Sequence, residues 1–404
     1  MRGLALWLVR FRSLSPSTRL RNNSVEVSGL FSGHLRHALL AAKLIVLLSG
    51  LLEGVAQSAC PSWPAWQAFK QHYVTNDGRV VDASVPEQIT TSEGQSYALL
   101  FALAANDRSA FDLLLKWTEN NLASGDLSKY LPAWQWGHAD QWRVLDTNAA
   151  SDADVWIAYS LIEAGRLWHE PRYTQLGKAV ADNVLRDETA LVQQLGLALL
   201  PGPRGFVNKS GWRFNASYLP IQALRLLAKE HDPLWQRIVD SSAKIISASA
   251  TNGYVADWIN YVHARGFVID DKAVGSYNAI RVYLWAGMLS PRDALFNDLQ
   301  RQLKPAMQQF AQRQRPAELI TISTGELHGD GSPGFSAAFL PLLKTTQHSA
   351  FATQRSLANS EAQDNLHYYS DVLTLFGRGW LDEWLRFDAT GALNVKWSRT
   401  CAAS

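Results

Sequence analysis

The chain of 404 residues is 47% hydrophobic and only 18% charged, which supplies a large buried core and excludes a mostly disordered protein. Its net charge of +2 belongs to the N-terminus, where seven basic residues (Arg2, Arg10, Arg12, Arg19, Arg21, Arg36, Lys43) meet two acidic ones (Glu26, Glu53). Residues 59–404 alone carry a net charge of −3, so charge gives no ground for nucleic-acid binding.

In chain order, residues 1–58 read as a leader. Arg36 and His37 precede a mostly apolar run from Ala38 to Leu52, and Ala56-Gln57-Ser58 is a small-x-small site of the kind signal peptidase cuts. The stretch from Leu44 to Leu52 is short for a membrane span, so we expect cleavage after Ser58, a periplasmic or secreted product and no membrane insertion afterwards. The segment before Leu35 is long for a signal peptide and fits a start codon placed too far upstream. Two cysteines, Cys60 and Cys401, stand at the two ends of the mature chain. An even count in an exported protein points to a disulfide joining the termini, with two free thiols as the alternative. No Cys/His cluster has zinc spacing, and no glycine-rich phosphate loop is present.

From Ser92 onward, apolar residues recur at a 3.6-residue period with short polar breaks and no sustained alternation, which predicts an all-α fold. Candidate helices are Glu93 to Ala105, Ser109 to Leu122, Asp152 to Trp168, Tyr173 to Leu185, Ser217 to Lys229, Leu234 to Ala248, Tyr277 to Met288, Pro291 to Gln312, Phe335 to Leu343 and Leu366 to Phe376, with room for two more. Tyr97 to Leu103 and Ala279 to Trp285 are apolar on nearly every side and belong inside. Amphipathic helices such as Ser109 to Leu122 lie between them. Inner alternating with outer is what a toroid of helical hairpins needs. No linker divides residues 59–404, so they read as a single domain.

Three of the inner candidates begin alike: Ser92-Glu93-Gly94-Gln95, Ser151-Asp152-Ala153-Asp154 and Ser276-Tyr277-Asn278-Ala279. Each serine can cap its helix, and Ser92 with Gln95 has capping-box spacing. Acidic residues in a first turn also complement the helix dipole, which is the bland explanation for each one alone. Together they say more. If inner helices run parallel around a barrel, their starts meet at one rim and bring Glu93, Asp152, Asp154 and Asn278 together. Fifteen tryptophans lie beyond the leader, and Trp134, Trp136 and Trp142 sit in polar surroundings. Tryptophan faces stack on the flat C–H faces of sugar rings, which suggests a carbohydrate cleft, although core packing is the commoner role of any single tryptophan.

The run Ala150-Ser151-Asp152-Ala153-Asp154-Val155-Trp156-Ile157-Ala158-Tyr159 resembles the signature of glycoside hydrolase family 8, and Thr91-Ser92-Glu93-Gly94-Gln95-Ser96-Tyr97 resembles its general-acid segment. The likeness extends from Cys60 through Trp212-Arg213-Phe214-Asn215 and Pro333-Gly334-Phe335 to Cys401. It implies an (α/α)6 barrel, an open cleft and an inverting endo-β-1,4-glucanase that needs neither metal nor organic cofactor. It also implies β-1,4-glucan (cellulose) as partner and an association with bacterial cellulose synthesis and export. By carry-over, Glu93 is the general acid and Asp152 the signature aspartate that holds the distorted sugar or the water. Asp154, Trp134, Trp136, Tyr97, Trp212, Arg213, Tyr277 and Arg281 are substrate-binding candidates. Burial must raise the pKa of Glu93, since its helix start alone would lower it.

The pattern breaks at one place. Relatives of the cellulose-synthesis type carry aspartate in Ser-Tyr-Asp-Ala-Ile-Arg as the general base, whereas this chain has Asn278, and an amide accepts no proton near neutral pH. Three explanations compete: an amide-for-base variant that traps substrate, recruitment of another carboxylate such as Asp146, Asp257 or Asp371, or a glucan-binding accessory protein with little turnover. Chitosan, xylan or lichenan are alternative polymers.

Overall fold

The computed structural model describes residues 60–359, 367–399 and 401. The expected leader and its cleavage site, residues 1–58, lie outside the described residues. Those described belong to one compact unit, Ser58–Ser404.

Twelve α-helices occur among the described residues: α1 (Pro64–Tyr73), α2 (Ser92–Ala104), α3 (Arg108–Leu122), α4 (Ser151–Leu167), α5 (Pro171–Asp187), α6 (Ile221–Glu230), α7 (Leu234–Ser249), α8 (Ala279–Met288), α9 (Phe296–Leu303), α10 (Pro333–Thr345), α11 (Phe351–Leu357) and α12 (Tyr368–Leu381). Even-numbered helices form an inner ring. Neighbours pack in the order α2, α4, α6, α8, α10, α12, and Phe376 of α12 closes the ring against Tyr97 and Phe101 of α2, with centroids 5.0 and 4.7 Å apart. Outer helices α3, α5, α7, α9 and α11 each pack on the inner helix before them, while α1 packs on α12. The sixth hairpin is therefore made from the two ends of the chain.

Sequence composition sets the layers. All ten residues of α8 are buried, as are twelve of the thirteen in α2, Glu93 being the exception. Helix α3 buries one stripe, Ala110, Phe111, Leu114, Leu115, Trp117, Thr118 and Leu122, and leaves its charges outside. The barrel axis is filled: Trp156 lies 5.4 Å from Trp285, which lies 5.0 Å from Phe376.

Several expected features differ. Proline breaks two of the expected helices. Ser217 to Lys229 divides at Pro220 into a 3-10 turn (Ala216–Tyr218) and α6, and Pro291 to Gln312 shortens to α9 followed by a 3-10 segment, Lys304–Ala311, with Pro305 at its start. The expected serine caps are not formed. Thr91 caps α2 by accepting from Gly94 N at 3.0 Å, Ala150 precedes α4 without any side-chain cap, and α8 begins at Ala279 rather than Tyr277. Gln95 turns away from the cap to bond Val80 N, Gly78 O and Thr118 Oγ1. Short antiparallel hairpins, absent from the expectation, fill the connections. One three-stranded sheet joins β1 (Thr90–Thr91), β2 (Gln135–His138) and β3 (Trp142–Asp146).

Candidate active site

The starts of the inner helices open into a cavity of about 240 Å³. Glu93 and Asp152 reach it from the first turns of α2 and α4, Asn278 from the N-cap of α8, and Arg281 from one turn further on. Trp134, Tyr218, Tyr277 and Tyr369 complete most of its wall. Pairing of β1 with β2 and a bond from Ser92 N to Trp134 O (3.0 Å) tie the tryptophan loop to the start of α2, and Asp146 accepts from the Trp134 side chain.

Arg281 organises the floor. It is 3% exposed, and its Nη1 donates to Glu93, to Asp152 Oδ2 at 2.9 Å and to Tyr97 Oη at 3.0 Å, while Nη2 donates to Asn278 Oδ1 at 3.0 Å. Asp152 Oδ1 accepts from Ala153 N at 2.8 Å, which fixes the second oxygen to the turn of its own helix. Asn278 Oδ1 takes a second donor, Asn215 Nδ2, at 3.0 Å. A guanidinium only donates, so this contact sets the amide with its oxygen toward Arg281 and leaves the NH2 group as what Asn278 can offer elsewhere.

Burial is the largest influence on Glu93 and, with the nearby Asp152 charge, raises it to about 7 despite the opposing pull of Arg281. A quarter of its side chain still reaches solvent through the cavity. Glu93 can therefore carry a proton near neutrality and deliver it to a group in the cavity, while Asp152 is ion-paired. Burial also pushes the hydroxyls of Tyr97, Tyr218 and Tyr369 upward, leaving them neutral.

Among the residues expected from sequence, Glu93, Asp152, Asn278, Trp134, Tyr277 and Arg281 meet at this cavity. Tyr97 lies beneath it under Arg281, and Asp154 is fully buried behind Asp152 instead of facing the cavity. Trp136 stacks on Trp142 with centroids 5.0 Å apart, Trp212 packs on His263, and Arg213 lies over Trp258, all three away from the cavity wall. The substitute carboxylates are absent from that wall as well. Asp257 accepts from the backbone N–H groups of Ser276 (2.9 Å) and Ala279 (2.8 Å), thereby capping α8 from outside, Asp371 accepts from Tyr73 Oη at 2.6 Å, and Asp146 holds Trp134. Tyr218 and Tyr369 were missed. Tyr218 lies in the 3-10 turn just before α6 and Tyr369 in the first turn of α12, so extending the shared-rim reasoning from three helices to six would have found them. Cys60 and Cys401 are bonded, with Cα atoms 5.6 Å apart.

The model of the glycosyl hydrolases family 8 matches residues 41–383. An endoglucanase of Escherichia coli O157:H7 is 43% identical over 369 residues, covering 89% of this chain and 99% of the relative. An endoglucanase of Xanthomonas axonopodis pv. citri (strain 306) is 43% identical over 383 residues, covering 91% and 99%. The crystal structure of endo-1,4-D-glucanase from Vibrio fischeri ES114 is similar with a TM-score of 0.79 and 45% identity, over 83% of this chain and 99% of that one. With a helical toroid, an acid at its rim and a family match across most of its length, this chain belongs to glycosyl hydrolase family 8, as an (α/α)6-barrel glycoside hydrolase.

Proposed function

We propose that the chain is an endo-β-1,4-glucanase in which Glu93 is the general acid and Asn278 occupies the place of the general base. The observation that carries this reading is Glu93 itself, a carboxyl raised to about 7 on the wall of a cavity shared with Trp134 and three tyrosines. A glucan ring stacks on Trp134, its glycosidic oxygen takes the proton of Glu93, and Asp152 hydrogen-bonds the ring that distorts toward the transition state.

An inverting reaction also needs a carboxylate across the ring to take a proton from the attacking water. Asn278 holds the position with its oxygen already committed to Arg281 and Asn215, so it presents a donor where an acceptor is required. Those same two donors suit a carboxylate oxygen. We therefore expect slow turnover, and Asn278→Asp to raise the release of reducing ends from carboxymethylcellulose by about 10²-fold or more. Equal rates in the two proteins would exclude Asn278 as the deficit.

The same asparagine favours a second reading, a glucan-binding accessory protein with little turnover. Binding of cello-oligosaccharides by both proteins, with no reducing ends from either, would select it. A role in cellulose synthesis and export rests on the sequence likeness, and the Cys60–Cys401 pair suits an oxidising compartment outside the cytoplasm. Mass spectrometry of the protein recovered from the periplasm should find an N-terminus near Ala59; an intact residue 1–58 segment there would exclude the expected cleavage.

A further inference from the structure

Behind the cavity, α4 carries a second carboxylate that the chemistry above does not use. Asp154 is 0% exposed, and neither of its oxygens has a hydrogen-bond donor. Its partner is Glu188, the residue that ends α5, also 0% exposed and also without a donor on either oxygen. Each of the two carboxyl groups acts directly on the other's proton. Two bare carboxylates facing each other at zero exposure repel strongly, so a proton between them is the arrangement with the lowest cost.

The helix ends decide where that proton sits. Asp154 lies in the first turn of α4, whose positive end favours a carboxylate, whereas Glu188 lies at the C-terminal end of α5, whose negative end disfavours one. Burial above all pushes both groups upward, and the charged groups facing them push the same way, Asp152 from α4 and Asp187 from α5. A second observation concerns α4 itself. Its N-cap, Ala150, offers no side-chain bond, yet its first turn must hold Asp152, whose Oδ1 rests on Ala153 N and whose Oδ2 receives Arg281.

We propose that Asp154 and Glu188 share one proton, carried by Glu188, and that this bond ties the uncapped first turn of α4 to the end of α5, making both of them positioning residues for Asp152. Glu188→Gln keeps a neutral donor toward Asp154 and removes the titration. Glu188→Leu removes the donor and leaves Asp154 buried and unpaired.

Infrared spectra at neutral pH should show the carbonyl stretch of a protonated carboxylic acid that disappears in Glu188→Gln. The thermal midpoint of the native chain should fall as pH rises through the neutral range more steeply than that of Glu188→Gln, because the folded state holds a proton the unfolded chain has released. Crystals of Glu188→Leu should show Asp152 displaced from Arg281, with cello-oligosaccharide affinity lowered about tenfold, while Glu188→Gln keeps both. Where Glu188→Leu does not fold, Glu188→Asp, one methylene shorter, replaces it. No protonated-acid band that depends on Glu188, or identical pH slopes, would overturn the shared proton. An unmoved Asp152 in the broken pair would overturn the positioning role. Only the affinity measurement rests on the glucan reading: if no variant and not even the native chain binds cello-oligosaccharides, that reading fails while the spectra, slopes and crystals still decide the pair.

Discussion

At the scale of single residues, the cavity joins two carboxylates and an amide through one guanidinium. Removing it, as in Arg281→Leu, strands Glu93 and Asp152 without their cation, and breaking a buried pair costs about 3–5 kcal/mol. Urea denaturation should show a loss of that order, partly recovered when Glu93→Gln is added. Glu93 gives a pH signature as well. Its carboxyl releases a proton near 4.5 in an unfolded chain and near 7 in the fold. The folded state therefore holds an extra proton between those values, so this group's stabilising contribution is full below pH 4.5 and is lost as pH rises through about 7. A general acid must also be protonated to act. The hydrolysis rate of Asn278→Asp is expected to decline above about pH 7 with an alkaline limb that Glu93→Gln eliminates along with activity; a limb persisting with undiminished rate in the double variant would remove Glu93 from the role. Sequence alone could name Glu93, Asp152 and Asn278, because helix-start patterns and family motifs are local. It could not place Asp154, whose period along α4 turns it from the cavity toward Glu188, a residue 34 positions later that no motif links to it.

At the scale of elements, helix order and period were legible and helix ends were not. Apolar periodicity in Tyr97 to Leu103 or Ala279 to Trp285 survives any tertiary context, since such helices fit only inside the ring. Caps depend on neighbours instead. Asp257 supplies to α8 what Ser276 was expected to give, through a contact set by folding rather than by spacing. Hairpins such as β2 with β3 are too short to show alternation, and their pairing follows from connections between helix ends. Close approach of the inner helices was also hidden. A Cβ on Gly287 of α8 would collide with the backbone of α10 at Leu342, and one on Gly377 of α12 with the backbone of α10 at Ala337. Gly287→Ala and Gly377→Ala should each cost about 1–3 kcal/mol by overpacking. Chemical denaturation checks this, with an unchanged midpoint in both contradicting the tight packing of α10 between its two neighbours.

At the scale of the whole molecule, the ring is closed by parts far apart in sequence. Helix α1 completes the hairpin of α12, and the Cys60–Cys401 bond spans 341 residues. Cross-linking a loop of that length restrains the unfolded chain, and Cys401→Ser should lower stability by about 2–5 kcal/mol without changing the cavity. Equal denaturation midpoints for the oxidised and reduced protein would mean that the clasp contributes nothing. The shared rim of inner-helix starts is the central claim, and a crystal of the native chain soaked with a cello-oligosaccharide tests it most directly, because Asn278 should slow cleavage of the bound chain. The expected result is a sugar ring on Trp134 with a glycosidic oxygen about 3 Å from the Glu93 carboxyl and Asn278 on the opposite face of the ring. An oligosaccharide bound away from Glu93, or none in this cavity at saturating concentration, would contradict it.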